Sequence, residues 1–470
     1  MSRWSKGPWA NLVLLLAASA VLGGAILSRP AKGLMDFDQP FYVTMAYDLD
    51  RHGILSNGIF VDIDSTEAAP QPGMFFVPIY PLLVAAVMKV DSRFAKVVRC
   101  SVEADRGHRD ERSCEPYDTP IRVVHTLLLA LGVLAVASTA RVIFGSWPVF
   151  WACGALAIMA LAAEAEIFSF VMTESLTFSL YSIFALTMVL AWQSGRPRYF
   201  AGAGMALGLL CLTRLSFLVL FPLSIGLTLL CRRIIPAART FALIAGVAAM
   251  SVPFGAMMGG WAMRNAISVG KLGLSEEYGS AVLIERFAYN DMSLREFFQA
   301  FPFCTPGLGE LAFDTVYGSD SMHRFVYHTP GSFFHVGRDE RDRLVSEYGR
   351  LDPLIGGIVG TEMREKWWRH LLVSIPLAWC GMWPGWVVSL FLLPLFICAC
   401  MRATRHGHSL LLLYCAPAIA MLGLHALIAN HYTRYNLILI GPYATGAAWC
   451  LLALSRWPYS RRPGLRRARV

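Results

Sequence analysis

Apolar residues in this chain fall in long blocks, and that patterning constrains the fold more than any other feature. Runs cover 11–27, 121–143, 148–163, 172–192, 200–212, 215–230, 241–260, 384–401, 410–429 and 437–454. Many approach the roughly 20 residues that carry an α-helix across a bilayer. Only 16% of the 470 residues are charged, and mean hydropathy is +0.51. A soluble chain of this size carries roughly a quarter charged residues. The blocks therefore predict an all-α polytopic membrane protein of about ten spans. The net charge of +9 does not point to nucleic acid, because the cations cluster in short loops and at the two ends.

Charge in those loops sets the expected topology. Arg3 and Lys6 argue for a cytoplasmic start, and the first apolar run has no convincing small-residue cleavage site, so it reads as a retained span. Arg141, Arg196 and Arg198, Arg232 and Arg233, Arg402 and Arg405, and the basic tail then fall on the cytoplasmic side. Four regions follow: an N-terminal transmembrane module, 1–260, with an outer first loop at 29–120; an extracytoplasmic region, 261–367; C-terminal transmembrane helices, 368–456; and a basic cytoplasmic tail, 457–470. Phe75 to Val90 is short and broken by Pro78 and Pro81, which suits an interfacial helix. The region 261–367 shows neither a clean helical nor a strand period and is expected to be a small mixed domain. Most of the 11 cysteines lie in apolar runs and read as small hydrophobes. Cys100 and Cys114 bracket a polar stretch instead. Outside the membrane they would form a disulfide; on a cytoplasmic loop they would be free thiols. The outer placement lets every later loop obey the charge rule and is the one adopted.

This topology gathers polar side chains on one face. Asp36 and Asp38 follow the first span, Glu164, Glu166 and Glu174 stand at an outward turn, and Arg214 stands at the next. Arg264 and Lys271 follow a later span, and Arg434 and Tyr435 precede the last. Carboxylates and guanidinium groups at one depth, away from cytoplasmic nucleotides, suit group transfer from a membrane-anchored phosphate. A carboxylate takes the proton of an acceptor hydroxyl, and cations stabilise the departing phosphate. Each residue also has a purely structural alternative. Asp38 would cap the helix that begins at Pro40, Glu174 would flank its span, and Arg264 and Arg434 would anchor at the interface. His323, His328 and His335 are irregularly spaced, and no metal site is expected from them. The glycine-rich runs at 201–204 and 357–360 lack the strand–turn–helix context of a nucleotide loop.

Several short motifs, in this order, resemble those of the polyprenyl-phosphate-sugar glycosyltransferases of the C-type membrane fold (GT-C), including protein O-mannosyltransferase-like enzymes and lipid A aminoarabinose transferases. Asp38-Gln39-Pro40-Phe41-Tyr42-Val43-Thr44-Met45-Ala46 resembles the family's Asp-Glu-x-x-Tyr-x-x-x-Ala, with Gln39 where the Glu usually stands. Phe76 to Leu82, containing Tyr80, resembles Arg-x-Pro-x-Tyr-Pro-Leu without its basic residue. Glu174 stands at the acidic position before a span, Trp261 to Gly270 matches Trp-x-x-Arg-Asn-x-x-x-x-Gly, and Arg434-Tyr435 is the pair before the last span. The resemblance implies a metal-independent enzyme that moves a sugar, with inversion, from a polyprenyl-phosphate donor to an extracytoplasmic hydroxyl on a lipid, glycan or protein. Asp38 would be the base and Glu174 its helper. Asp36, Tyr42, Tyr80, Arg214, Arg264, Lys271, Arg434 and Tyr435 would bind substrate, with Arg264 and Arg434 on the phosphate. Its place would be the cytoplasmic (inner) membrane, with both termini inside and the site outside. A flippase for lipid-linked sugars would need charge near mid-membrane and usually an internal repeat, and the chain shows no convincing repeat. A ligase or polymerase using a diphosphate-linked donor is the nearer chemical alternative.

Overall fold

The computed structural model describes residues 7–58, 69–107, 114–234, 240–327, 329–429 and 433–455; the basic tail, Arg3 and Lys6, and His328 lie outside them. Among the described residues the only regular elements are helices. They are α1 (Gly7–Leu27), α2 (Gln39–His52), α3 (Ile79–Val90), α4 (Ser92–Asp105), α5 (Thr119–Phe144), α6 (Trp147–Ala163), α7 (Ala165–Phe168), α8 (Glu174–Ser194), α9 (Pro197–Cys211) and α10 (Leu220–Ile234). Then follow α11 (Thr240–Ser268), α12 (Tyr278–Phe287), α13 (Leu294–Cys304), α14 (Gly309–Ala312), α15 (Phe333–Tyr348), α16 (Asp352–Gly381), α17 (Val387–His406), α18 (Ser409–Ile428) and α19 (Ile440–Ser455).

Among the described residues, seven helices are long and apolar enough to cross a membrane. The expected runs at 148–163, 200–212 and 215–230 form the shorter helices α6, α9 and part of α10. The bundle is held by α5 on α1, α6 and α8, by α9 between α8 and α11, and by α19 on α6 and α17. Small residues set several of these contacts. A Cβ on Gly204 of α9 would collide with the Met250 carbonyl of α11, and one on Gly132 of α5 would lie 2.7 Å from the Phe178 ring of α8. Close backbone approach of this kind is how helices associate where no hydrophobic gradient drives them together. The two most deeply enclosed spans are α8 and the segment Thr433–Leu454.

Two groups of shorter helices cover one end of the bundle. In the first, α2, α3 and α4 pack together through buried Val43, Tyr47, Val84 and Phe94. Ion pairs latch them: Asp48 to Arg106 at 3.0 Å, and Asp50 to Lys89 at 2.6 Å and Arg99 at 2.8 Å. Asp48 is buried, and that burial pushes its carboxyl up despite a 2.6 Å hydrogen bond from Ser56. Phe75 to Val90 holds a 12-residue helix, α3, rather than a span. Cys100 and Cys114 are disulfide-bonded, with Cα atoms 5.7 Å apart.

The second group spans α12 to α16 and corrects the expectation of a mixed domain. Its described residues form helices and helical turns with no strand. The irregular period has a physical origin: most of these helices are short, and their apolar residues fill two clusters, one around Tyr289, Phe313, Phe325 and Phe333 and one around Ile284, Leu344 and Leu351, rather than a stripe. The expected boundary at 367 falls beside Lys366, the one non-helical residue inside α16, whereas that at 260 falls within α11. A second disulfide, Cys304–Cys380, ties α13 to α16. It joins cysteines that sequence proximity does not pair.

Candidate functional site

The first loop positions its carboxylate with an amide. Gln39 is buried; its Nε2 donates to the carbonyls of Gly33 (3.0 Å) and Asp36 (3.1 Å), while its Oε1 accepts from Val171 N–H (2.8 Å). Only a carboxamide both donates and accepts in this way, which accounts for Gln39 where the resembled motif carries Glu. The latch joins the start of α2 to the segment just before α8, and so brings Asp38 toward Glu174.

Asp38 occupies the N-cap position of α2, yet its side chain makes no capping hydrogen bond. Its Oδ2 instead accepts from the Arg434 guanidinium at 2.6 Å, across 396 residues of sequence. Glu174, at the first position of α8 and 3% exposed, lies 3.7 Å from Arg214 and 3.9 Å from Arg434 through one oxygen. Its other oxygen is buried without a hydrogen-bond partner. Arg214 packs over the Tyr435 ring, 4.6 Å from its centroid. Asp38, Arg434, Glu174, Arg214 and Tyr435 thus form one alternating network. Glu174 and Arg434 stand at the ends of the two most enclosed spans.

The network faces a cavity of about 950 Å³ whose walls also carry Asp36, Tyr42, Glu164, Tyr278, Tyr327 and Trp386. Tyr42 sits edge-on to Tyr80, 5.0 Å between centroids, and burial together with the Asp38 charge pushes its phenol up. Glu164 accepts from Gly385 N–H at 2.8 Å, and burial raises its carboxyl. A second, apolar cavity of about 350 Å³ adjoins the first. The two share Tyr42, Phe75, Phe76, Arg214, Tyr278, Val282 and Tyr435, whereas Asp38, Glu174 and Arg434 line only the larger one.

Of the residues singled out from sequence, Asp36, Asp38, Tyr42, Glu174, Arg214, Arg434 and Tyr435 all line the larger cavity. Three do not. Tyr80 is fully buried, and its hydroxyl bonds His125 Nε2 at 2.9 Å, so it braces Tyr42 from behind. Arg264 donates to the carbonyls of Gly73 (2.5 Å) and Leu55 (2.8 Å), which pins the first loop onto α11. Lys271 pairs with Glu276. Sequence reasoning missed Tyr278 and Tyr327, which come from a region without a readable period, and Trp386, which immediately precedes α17. Glu276, Glu277 and Asp352 converge within 4.8 Å of one another in the α12–α16 group. They are already engaged by Lys271 and Arg350, by the Ser280 hydroxyl and by the Leu351 N–H.

A family model described as dolichyl-phosphate-mannose-protein mannosyltransferase matches residues 116–256. No curated protein matches the chain. Among solved structures, the archaeal oligosaccharyltransferase AglB from Archaeoglobus fulgidus, in complex with an inhibitory peptide and a dolichol-phosphate, is 11% identical; the match covers 100% of this chain and 53% of that one, with a TM-score of 0.50. Apo ArnT from Cupriavidus metallidurans is 15% identical over 96% of this chain and 61% of that one, with a TM-score of 0.47. The chain therefore spans between half and two thirds of the length of these proteins. It has the all-helical membrane fold of the GT-C polyprenyl-phosphate-sugar glycosyltransferases, the group to which the sequence motifs point.

Proposed function

We propose that the protein is an integral-membrane glycosyltransferase that moves a sugar from a polyprenyl-phosphate donor to an acceptor hydroxyl, with inversion. One observation carries the assignment: a polar cavity holding Asp38, Glu174 and Arg434 adjoins an apolar cavity, and Arg214 and Tyr435 line both. A ligand with an isoprenoid tail in the apolar cavity presents its phosphate at that junction, against the Arg214 guanidinium. Its sugar then extends into the polar cavity toward Asp38.

Asp38 is the base. Its Oδ2 is held by Arg434, and its Oδ1 has no hydrogen-bond partner among the described residues. That oxygen takes the proton of the acceptor hydroxyl as the new glycosidic bond forms and the bond from anomeric carbon to phosphate oxygen breaks. The leaving phosphate keeps the bonding electrons, and Arg214 stabilises its charge. Glu174 holds both guanidinium groups in register.

Two disulfides, Cys100–Cys114 and Cys304–Cys380, belong to the helices that cover the cavity end. Disulfides persist in oxidising compartments, which supports an extracytoplasmic site in a cytoplasmic membrane with cytoplasmic termini. The proposed partners are a lipid-linked sugar donor and a lipid, glycan or protein acceptor, with no metal required. The purified full chain in liposomes, given defined polyprenyl-monophosphate sugars, tests this. Turnover supports it; flux across vesicles without turnover, or turnover of diphosphate-linked donors alone, refutes it.

A further inference from the structure

The outer domain carries apolar surface that its own core does not use. α13 returns through a turn into α14 and a single π turn, Phe313–Tyr317, with Arg295 donating to the Tyr317 carbonyl at 3.0 Å to close the hairpin. Inside, Phe303, Phe313 and Phe325 are packed together. Outside, Leu294, Phe298, Leu308, Leu311 and Val316 are 48–72% exposed. Leu294 and Phe298 lie four residues apart on one face of α13. The polar side chains of this helix are spoken for: Glu296 caps its start and pairs with Arg324, and Gln299 bonds Ser321. A water-facing surface rarely presents five large apolar side chains on so short a unit.

The hairpin is tied to a helix end that leads directly into the bundle. The hairpin tip is joined to the end of α16 by Cys304–Cys380 and by Trp379 Nε1, which donates to the Phe301 carbonyl (3.1 Å) and the Thr305 hydroxyl (3.0 Å). That end of α16 leads within six residues into α17, a helix long and apolar enough to span. Along α16, Trp368, Leu372 and Ile375 repeat at helical spacing and are 40–55% exposed, the pattern of an interfacial helix with an aromatic anchor.

We infer that the α13–α14 hairpin is a membrane-docking element, which seats its exposed leucines, Phe298 and Val316 at the boundary between lipid headgroups and acyl chains. Its partner is the bilayer surface rather than another protein. Together with the α16 stripe it holds the outer domain down on the membrane, so that α12 and α15 stay over the cavity mouth. The inference depends on the membrane fold and not on the proposed reaction, so either can fail without the other.

Spin labels test it in the full chain reconstituted into phosphatidylcholine vesicles. Single Leu311→Cys and Val316→Cys variants carry the nitroxide, Glu340→Cys on α15 serves as the aqueous reference, and the signal of the unsubstituted chain is subtracted. Docking predicts that labels at 311 and 316 are relaxed by oxygen more than by an aqueous nickel chelate, with the reverse at 340. Equal nickel access at all three positions overturns the inference. So does protection of 311 and 316 from both reagents, which would mean that protein covers the hairpin. Protection from both reagents that is relieved in nanodiscs holding a single copy would assign the patch to self-association and likewise overturn the inference.

Discussion

Replacing Asp38 with asparagine keeps the shape of the side chain and removes its charge and its ability to take a proton. The structure separates the two consequences. As an ion pair, Asp38–Arg434 is short at 2.6 Å, but the carboxylate is 41% exposed. Pairs this open contribute about 0–1 kcal/mol, and Arg434 keeps Glu174 at 3.9 Å. The variant should therefore insert and fold like the parent. As a base, Asp38 should matter far more, because general-base catalysis typically contributes about 10²–10⁴-fold. The assay is the initial rate at which radiolabel moves from a defined polyprenyl-phosphate sugar into the glycan fraction of envelope membranes, with donor binding measured separately. Transfer should fall by about 10²–10⁴-fold while donor binding changes little. A rate within about fivefold of the parent, all that a lost exposed ion pair explains, would remove Asp38 from the chemistry and leave it a structural acid.

Arg214→Lys keeps a charge at the cavity junction but loses the planar fork, so donor kcat/KM should drop by about tenfold, read from donor titrations. Gln39→Glu makes the sequence more like the resembled motif, yet it should destabilise the protein by about 1–3 kcal/mol in thermal unfolding, because a carboxylate cannot donate to the Gly33 and Asp36 carbonyls. Arg286 of α12 is fully buried against α16 and α18, where it donates to the Ala426 carbonyl (2.9 Å), Asn290 (3.1 Å) and Ser374 (2.9 Å). Burial pulls its guanidinium down to about 10, still charged at neutral pH. Arg286→Ala should loosen the α12–α16 group by about 3 kcal/mol, seen as faster proteolysis between α12 and α15. Gly204→Ala should cost about 1–3 kcal/mol, measured by thermal unfolding in detergent, because its new methyl meets the Met250 backbone.

Composition and periodicity determined the membrane class on their own, because a span must be long, apolar and helical whatever packs beside it. The charge pattern of the loops placed Asp36, Asp38, Glu174, Arg214 and Arg434 at one end for the same local reason. Which of them meet was decided by packing between distant segments: Asp38 and Arg434 touch only because Gln39 latches onto Val171 and two enclosed spans end side by side. Arg264 shows the limit, since its place beside a span suggested a substrate contact while its guanidinium is spent on the Gly73 and Leu55 carbonyls. The α12–α16 group was the least legible part. Its mostly short helices bury side chains in two shared clusters, so no single stretch carries a period, and only the tertiary structure brings Tyr278, Tyr327 and the Cys304–Cys380 bond to their places.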